Sequence, residues 1–292
     1  MNSVKTAMLL GLMTGLLMFV GKIFAGNQGM FIMLIVSLGI NFYSYWYSDK
    51  IVLKAYGGRE VSMSEEPEFV GMIARLARKN NMPMPKVYIL DMDAPNAFAT
   101  GRDPEHAAVA ATHSIMRLLT AEEMEGVMAH ELSHIKHRDT LISTIAASIA
   151  GVITYIAQIA QYAMIFGGRS NDDDNGGGAL GSIFMIVLAP IAAMLIQMGI
   201  SRSREYMADE AGGELSGNPL ALASALKKLE NYAEIMNSRR GESEATPATS
   251  HLFIINPFSG LGGIVSLFST HPKTADRVAK LQEQADKMRY RK

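Results

Sequence analysis

The chain has no cysteine. Disulfide scaffolds, thiolate-bound zinc, iron–sulfur clusters and cysteine nucleophiles are therefore excluded. Neither sign of charge is in excess, since 27 basic residues face 28 acidic ones for a formal net charge of −1. That balance excludes nucleic-acid binding driven by bulk charge. Disorder is excluded as well: 49% of the 292 residues are hydrophobic, and disordered chains are poor in such residues. Charge of either sign is scarce. It makes up 19% of the chain, against about 25% in soluble domains.

The missing charge is missing in blocks. Thr6–Gly21, Ile23–Ser48, Thr140–Gly168 and Asn175–Ser201 hold 98 residues with no charge, and the other 194 carry all 55 charges, or 28%. A helix needs about 20 apolar residues to cross the hydrocarbon core. The blocks therefore predict two transmembrane hairpins. The first is 1–48, with spans at about 4–22 and 29–47; the second is 140–201, with spans at about 140–166 and 179–200. A cleaved signal peptide is disfavoured for the first block. Lys22 and Ile23 follow it instead of a small-residue cleavage site, and a second apolar block begins at once. A fifth uncharged run, Ala245–Pro272, is broken by Pro257, Gly260, Gly262 and Gly263. It reads as a loop or short helix outside the membrane.

Four spans put both termini and both long segments on one side. Lys5, Lys50, Lys54, Arg59, Lys136, Arg138, Arg202 and Arg204 flank the spans on that side, and only Lys22 and Arg169 on the other. The positive-inside rule makes the first side cytoplasmic. The loop GGRSNDDDNGGG on the far side reads as a solvated turn.

The aqueous part falls into 49–139 and 202–292. SEEPEFVGMIARLARKNN predicts an amphipathic helix with Phe69, Met72, Ile73 and Leu76 on one face. Lys86–Leu90 and Ala107–Thr112 are strand candidates, with the turn-rich DAPNAFATGRDPEH between them. Thr120 and Glu123 fit a capping box. The helix they open runs through EGVMAHELSHIKHRD, with the option of continuing straight into the third span. Leu220–Met236 and Thr274–Tyr290 are helical stretches.

That capped helix carries the chemistry. His130-Glu131-Leu132-Ser133-His134 is H-E-x-x-H. Residues four apart share a helix face, so both imidazoles can grip one metal ion. Glu131 lies about 100° round from His130, within reach of a water that the metal polarises, and suits a general base. Chance alone would produce the motif in on the order of 1 chain in 100. Two histidines leave zinc short of a ligand. Just after the fourth span comes SRSREYMADEAGG, where Glu205 and Asp209 face one way on a helix. Glu205 is the natural third ligand and Glu210 its rival. Asp209 can fix the tautomer of a ligand histidine through its far nitrogen. Asp139 sits five residues past His134 as a cap or support, and His137 is a weaker ligand candidate. If the third and fourth spans pair, His134 and Glu205 meet at one height just off the membrane.

At these residues the chain resembles the HtpX family of bacterial membrane zinc metalloproteases, relatives of the CAAX prenyl endopeptidases. The order span–span–HELSH–span–span–EYMAD carries the resemblance over essentially the whole length. It implies a mainly α membrane protein: four transmembrane helices plus a cytoplasmic zincin-like α+β metalloprotease domain with a small sheet. It implies that Asn96, Ala97, Phe98, Ala99 and Thr100 form an edge strand that pairs with an extended substrate. It implies that His271, in Ser269-Thr270-His271-Pro272, stabilises the oxyanion with support from Arg277. Without the resemblance, His271 would be a helix-entry residue and Arg277 part of a solvated face. The implied cofactor is one Zn²⁺ per chain. The implied setting is the bacterial cytoplasmic membrane, and the implied substrates are misfolded or damaged membrane proteins under stress.

Two other classes compete. A membrane adaptor with a structural metal site has no need of Glu131. A transporter needs ionisable residues inside its spans, and the four blocks contain none.

Overall fold

The computed structural model describes residues 2–143, 145, 202–240 and 272–290. The expected third and fourth spans lie almost wholly outside them. So do the Asp-rich loop, most of the Ala245–Pro272 run, and His271.

Helix α1 (Asn2–Trp46) is two arms joined at a break. Ala25 (φ −142°, ψ 26°) and Gly26 (φ 59°, ψ −145°) leave helical geometry. The connection is thus two residues, shorter than the 23–28 gap expected from sequence. Gly26 supplies the positive φ that turns the chain. Beside it, Gly21 and Gly29 lie so close that a Cβ on either would collide with the other's carbonyl. Small residues let the two backbones meet. Thr6–Ile23 and Ala25–Trp46 are each long and apolar enough to cross a membrane. Inside the hairpin, Asn41 Nδ2 donates to Thr14 Oγ1 (2.9 Å) and to the Leu10 carbonyl (3.3 Å). Leu9, Met13 and Leu17 of the first arm pack against Leu141, Ile142 and Ile145, where the third uncharged block begins.

Helix α2 (Ser48–Ala55) leads into a four-stranded sheet of order β1-β2-β4-β3: β1 is Arg59–Glu60, β2 Lys86–Leu90, β3 Ala97–Gly101 and β4 Ala107–Thr112. β2 and β4 are parallel, and β1 and β3 run antiparallel to their neighbours. The period of two sorts side chains cleanly. Val87, Ile89, Ala97, Ala99, Val109 and Ala111 join the main core with α3 (Pro67–Lys79) and α5 (Ala121–Lys136). Leu90, Phe98, Ala108 and Ala110 face Val52 and Leu53 of α2. Both faces are covered, so every residue of β3 and β4 is buried. The amphipathic helix, both strand candidates and the capping box are found as expected. Pro67 opens α3, which buries Phe69, Met72, Ile73 and Leu76 on one side.

A short α4 (His113–Leu118) precedes α5. Thr120 Oγ1 accepts from the Glu123 N–H (3.3 Å), and Glu123 Oε2 accepts from the Thr120 N–H (2.8 Å). Glu123 also accepts from Ser224 and from Lys228, at 2.7 Å each, which ties the start of α5 to α7 (Pro219–Arg240). α5 does not run straight into the third block. It ends at Lys136, Arg138 takes φ 58°, and helix resumes at Asp139. The break has a use, because it turns Asp139 back toward His134. Helices α6 (Arg202–Ser216) and α7 pack on α5 and on each other, and α8 (Thr274–Tyr290) packs on α6 and α7.

Candidate active site

The His130–His134 face of α5 lies against α6. What allows the approach is Gly212. A Cβ there would lie 2.9 Å from the His130 nitrogen and 3.0 Å from its Cα. Gly212 is seven residues past Glu205, two helical turns, and so shares its face. The glycine that lets the helices touch therefore also brings Glu205 to the histidines.

His130 Nε2 lies 3.7 Å from Glu205 Oε2, and His134 Nε2 lies 3.5 Å from Glu205 Oε1. The two Nε2 atoms are 3.1 Å apart. One ligand atom from each of the three residues falls within 4.8 Å of the others. Both rings turn their Nδ1 atoms away, toward acids. His130 Nδ1 is 2.9 Å from Asp209 Oδ1, and His134 Nδ1 is 3.4 Å from Asp139 Oδ2. Two inward nitrogens, one inward carboxylate and two carboxylates behind the rings are the donor set a catalytic divalent metal takes. The residues fit such an ion. Glu210, the rival ligand, is exposed and does not join the cluster. His137 directs Nδ1 at the Ser133 carbonyl (2.8 Å), and it is absent from the cluster too.

The acids behind the rings are themselves held. Arg277 is 1% exposed, and its Nε and Nη2 donate to Asp209 Oδ2 and Oδ1 at 2.7 Å each. Its Nη2 also lies 3.9 Å from Glu205 Oε2. The solvated-face alternative for Arg277 is thereby overturned. Arg204 Nη1 donates to Asp139 Oδ1 (3.3 Å). Burial alone would raise the Asp209 carboxyl, but the Arg277 guanidinium and the His130 ring hold it far below the usual range. Arg277 is pushed up in turn: burial works against its charge, but Asp209 and Glu205 outweigh it. Burial would likewise depress His134. The hydrogen bond His134 gives to Asp139 and the charges of Glu205 and Glu131 outweigh it and raise His134 to about 9.

Glu131 points the other way round the helix, at the sheet. Its Oε2 accepts the Ala99 N–H at 2.9 Å. β3 is the edge strand next to β4, and this N–H lies on its open side. Burial pushes the Glu131 carboxyl up, and the histidines and the Ala99 N–H only partly offset that. Asn96 starts the same stretch. It exchanges main-chain bonds with Thr112, while its buried side-chain amide makes no hydrogen bond.

Of the residues singled out from sequence, the structure gathers His130, Glu131, His134, Glu205, Asp209, Asp139 and Arg277, with Ala97–Thr100 in the adjoining strand. His271 lies outside the described residues. Sequence reading passed over Gly212, Arg204 and the Ala99–Glu131 bond. For Gly212 the signal was present, as a small residue two turns past Glu205.

Residues 64–285 match the model of peptidase family M48. The chain belongs to that family. Similar curated proteins include the protease HtpX homologue of Methylibium petroleiphilum, 53% identical over 96% of each chain. Another is the protease HtpX homologue of Burkholderia thailandensis, 52% identical over 99% of each chain. Among solved structures, S. mikatae Ste24p is similar at a TM-score of 0.52 and 16% identity. That match covers 96% of this chain and 65% of the Ste24p chain, and it supports the fold. This M48 protein is a metallopeptidase, and its family, its HtpX homologues and its two apolar N-terminal helices together support a membrane metalloprotease.

Proposed function

We propose that the protein is an integral membrane zinc endopeptidase. It cuts misfolded or damaged membrane proteins at the cytoplasmic face of the bacterial inner membrane. Both termini and the site face the cytoplasm, with four spans in two hairpins, 1–48 and 140–201. The parts 49–139 and 202–292 make up the protease between them. The observation that carries the reading is the buried His130–His134–Glu205 cluster with Glu131 beside it on the sheet edge.

His130, His134 and Glu205 would hold the ion. When bound, zinc supplies Lewis acidity toward water and the scissile carbonyl. Glu131 takes a proton from the attacking water and returns it to the leaving amine. Asp209 and Asp139 hold the two rings in one tautomer, Nδ1 protonated and Nε2 free, and Arg277 locks Asp209 in place. β3 ends the sheet, and an extended substrate backbone would pair along the stretch from Asn96 to Thr100. His271 would donate to the oxyanion, as the resemblance implies.

Glu131→Gln tests the reading directly. The variant should bind one zinc per chain as wild type does, yet lose at least about a hundredfold in cleavage of an unfolded protein in detergent. Cleavage at the wild-type rate would remove Glu131 from the mechanism.

A further inference from the structure

Residues 42–47 read FYSYWY, and the rings of Phe42, Tyr43, Trp46 and Tyr47 are exposed at the end of an apolar helix. Aromatic rings collect where hydrocarbon gives way to headgroups. Trp46 is the chain's only tryptophan. Arg102 is bound to it twice. The guanidinium carbon lies 4.7 Å from the ring centroid, and Nη1 donates to the Trp46 carbonyl at 3.2 Å. The Arg102 side chain is only 15% exposed, and its Nε sits 3.5 Å from Asp103 Oδ2, so the group is held on both sides.

Arg102 directly follows Gly101, the last residue of β3. The Gly101 carbonyl accepts from Thr140 Oγ1 (2.8 Å), at the start of the third uncharged block. In mid-strand, Phe98 packs on Val52 and Leu53 of α2 and against the Tyr56 ring, 6.1 Å between centroids. The edge strand is thus tied to three elements at the mouth of the membrane part. Ala99, whose N–H meets Glu131, is three residues from Arg102, roughly 10 Å of extended chain.

We propose that the Arg102–Trp46 pair is a depth gauge: it fixes the edge strand at a set height above the bilayer, so that the bond cut is one a short, fixed distance beyond the end of a membrane span. The proposal rests on the reading of β3 as the substrate strand and of Glu131 as the base. Arg102 and Trp46 are positioning residues and touch no reacting atom. The substrate class that follows is a polypeptide segment just leaving the bilayer. An arginine stacked on an interfacial ring suits this use. Its charge favours the headgroup level, and the ring resists moving deeper or shallower.

The test uses the full chain in phosphatidylcholine–phosphatidylglycerol vesicles. The substrates are single apolar spans followed by one cleavable segment at increasing linker lengths. Wild type should show one preferred length. Arg102→Gln and Trp46→Leu should each flatten that preference by about tenfold, and Arg102→Lys should keep part of it. Casein in detergent should be cut at the wild-type rate by all of them. The single tryptophan gives a second readout independent of activity. In wild type its emission should be quenched by shallowly brominated lipids, and Arg102→Gln should shift that depth. A wild-type rate that ignores linker length overturns the gauge while leaving the active site intact. So does a length preference that survives Arg102→Gln, or a parallel loss on casein. If instead Glu131→Gln cuts both substrate types at the wild-type rate, the failure lies in the reading of the site itself.

Discussion

Around α5 the protein buries His130, Glu131, Glu205, Asp209 and Arg277, each at 6% exposure or less. Along α1, among the described residues, it buries no ionisable side chain; Thr6, Ser37 and Ser44 are its buried polar residues. Both regions depend on glycine to bring backbones together, Gly212 in one and Gly21 with Gly29 in the other. They differ in what fills the contact. In the first, each buried charge is answered by another, along the line Arg277–Asp209–His130. In the second, one amide spans the gap. Charged groups in a dry interior are strongly coupled, so removing one strands its partner. Polar groups between membrane helices are weakly coupled, because the separated helices find other partners. The two regions should therefore respond to mutation on different scales.

The largest effect should come from Arg277→Ala. It leaves the Asp209 carboxylate buried without its guanidinium and should cost about 3–5 kcal/mol of stability. Denaturant unfolding of the detergent-solubilised protein measures it. Asp209→Asn in the Arg277→Ala background should recover part of the loss. A loss below about 1 kcal/mol would mean the pair behaves like a surface salt bridge, and the contrast would collapse.

Gly212→Ala comes next. Its Cβ would press on the His130 backbone, which cannot give as the end of a side chain can. Overpacking of this kind costs about 1–3 kcal/mol. The more telling readout is zinc affinity, which should fall as α6 moves off α5 and takes Glu205 with it. Unchanged affinity would show that the helices can separate without disturbing the cluster.

These two residues also mark how far the sequence could be read. Spacing alone put His130 and His134 on one face with Glu131 about 100° round, and the acidic helix stretch after residue 201 offered Glu205, since four-residue spacing is a local property. The partner of Arg277 was not legible. Its burial depends on α8 returning across α6, a contact between residues 68 positions apart that no periodicity announces. Likewise, the turn-rich look of DAPNAFATGRDPEH hid β3, a strand short enough that its flanking Pro, Gly and Asp dominate the composition. Only the family resemblance pointed to an edge strand there.

A third test falls between the two regions. Glu123 caps α5 and receives Ser224 and Lys228 from α7. Burial would raise its carboxyl, yet the Lys228 hydrogen bond, the Thr120 N–H and the Ser224 hydroxyl together lower it below 4.5. A depressed carboxylate contributes stability that is full above its unfolded pKa and lost as pH falls through the folded value. Glu123→Gln should therefore cost about 1–2 kcal/mol near neutral pH. The gap from wild type should close as the solution is acidified below 4.5. A gap that stays constant with pH would assign the loss to packing rather than charge.

The smallest effect should belong to Asn41→Leu. The substitution removes the bonds to Thr14 Oγ1 and the Leu10 carbonyl. Interhelical hydrogen bonds of this kind average about 0.6 kcal/mol, and the new leucine regains contact with lipid or with the facing arm. Thr14 already returns its hydroxyl to the Leu10 carbonyl at 3.0 Å, so neither group is stranded. Unfolding in detergent should shift by less than about 1 kcal/mol, with cleavage of a soluble substrate unchanged. A loss as large as that of Arg277→Ala would reverse the ordering. It would mean that the amide orders the hairpin as the ion pair orders the metal site, and that apolar surroundings amplify a single neutral hydrogen bond as strongly as a buried charge.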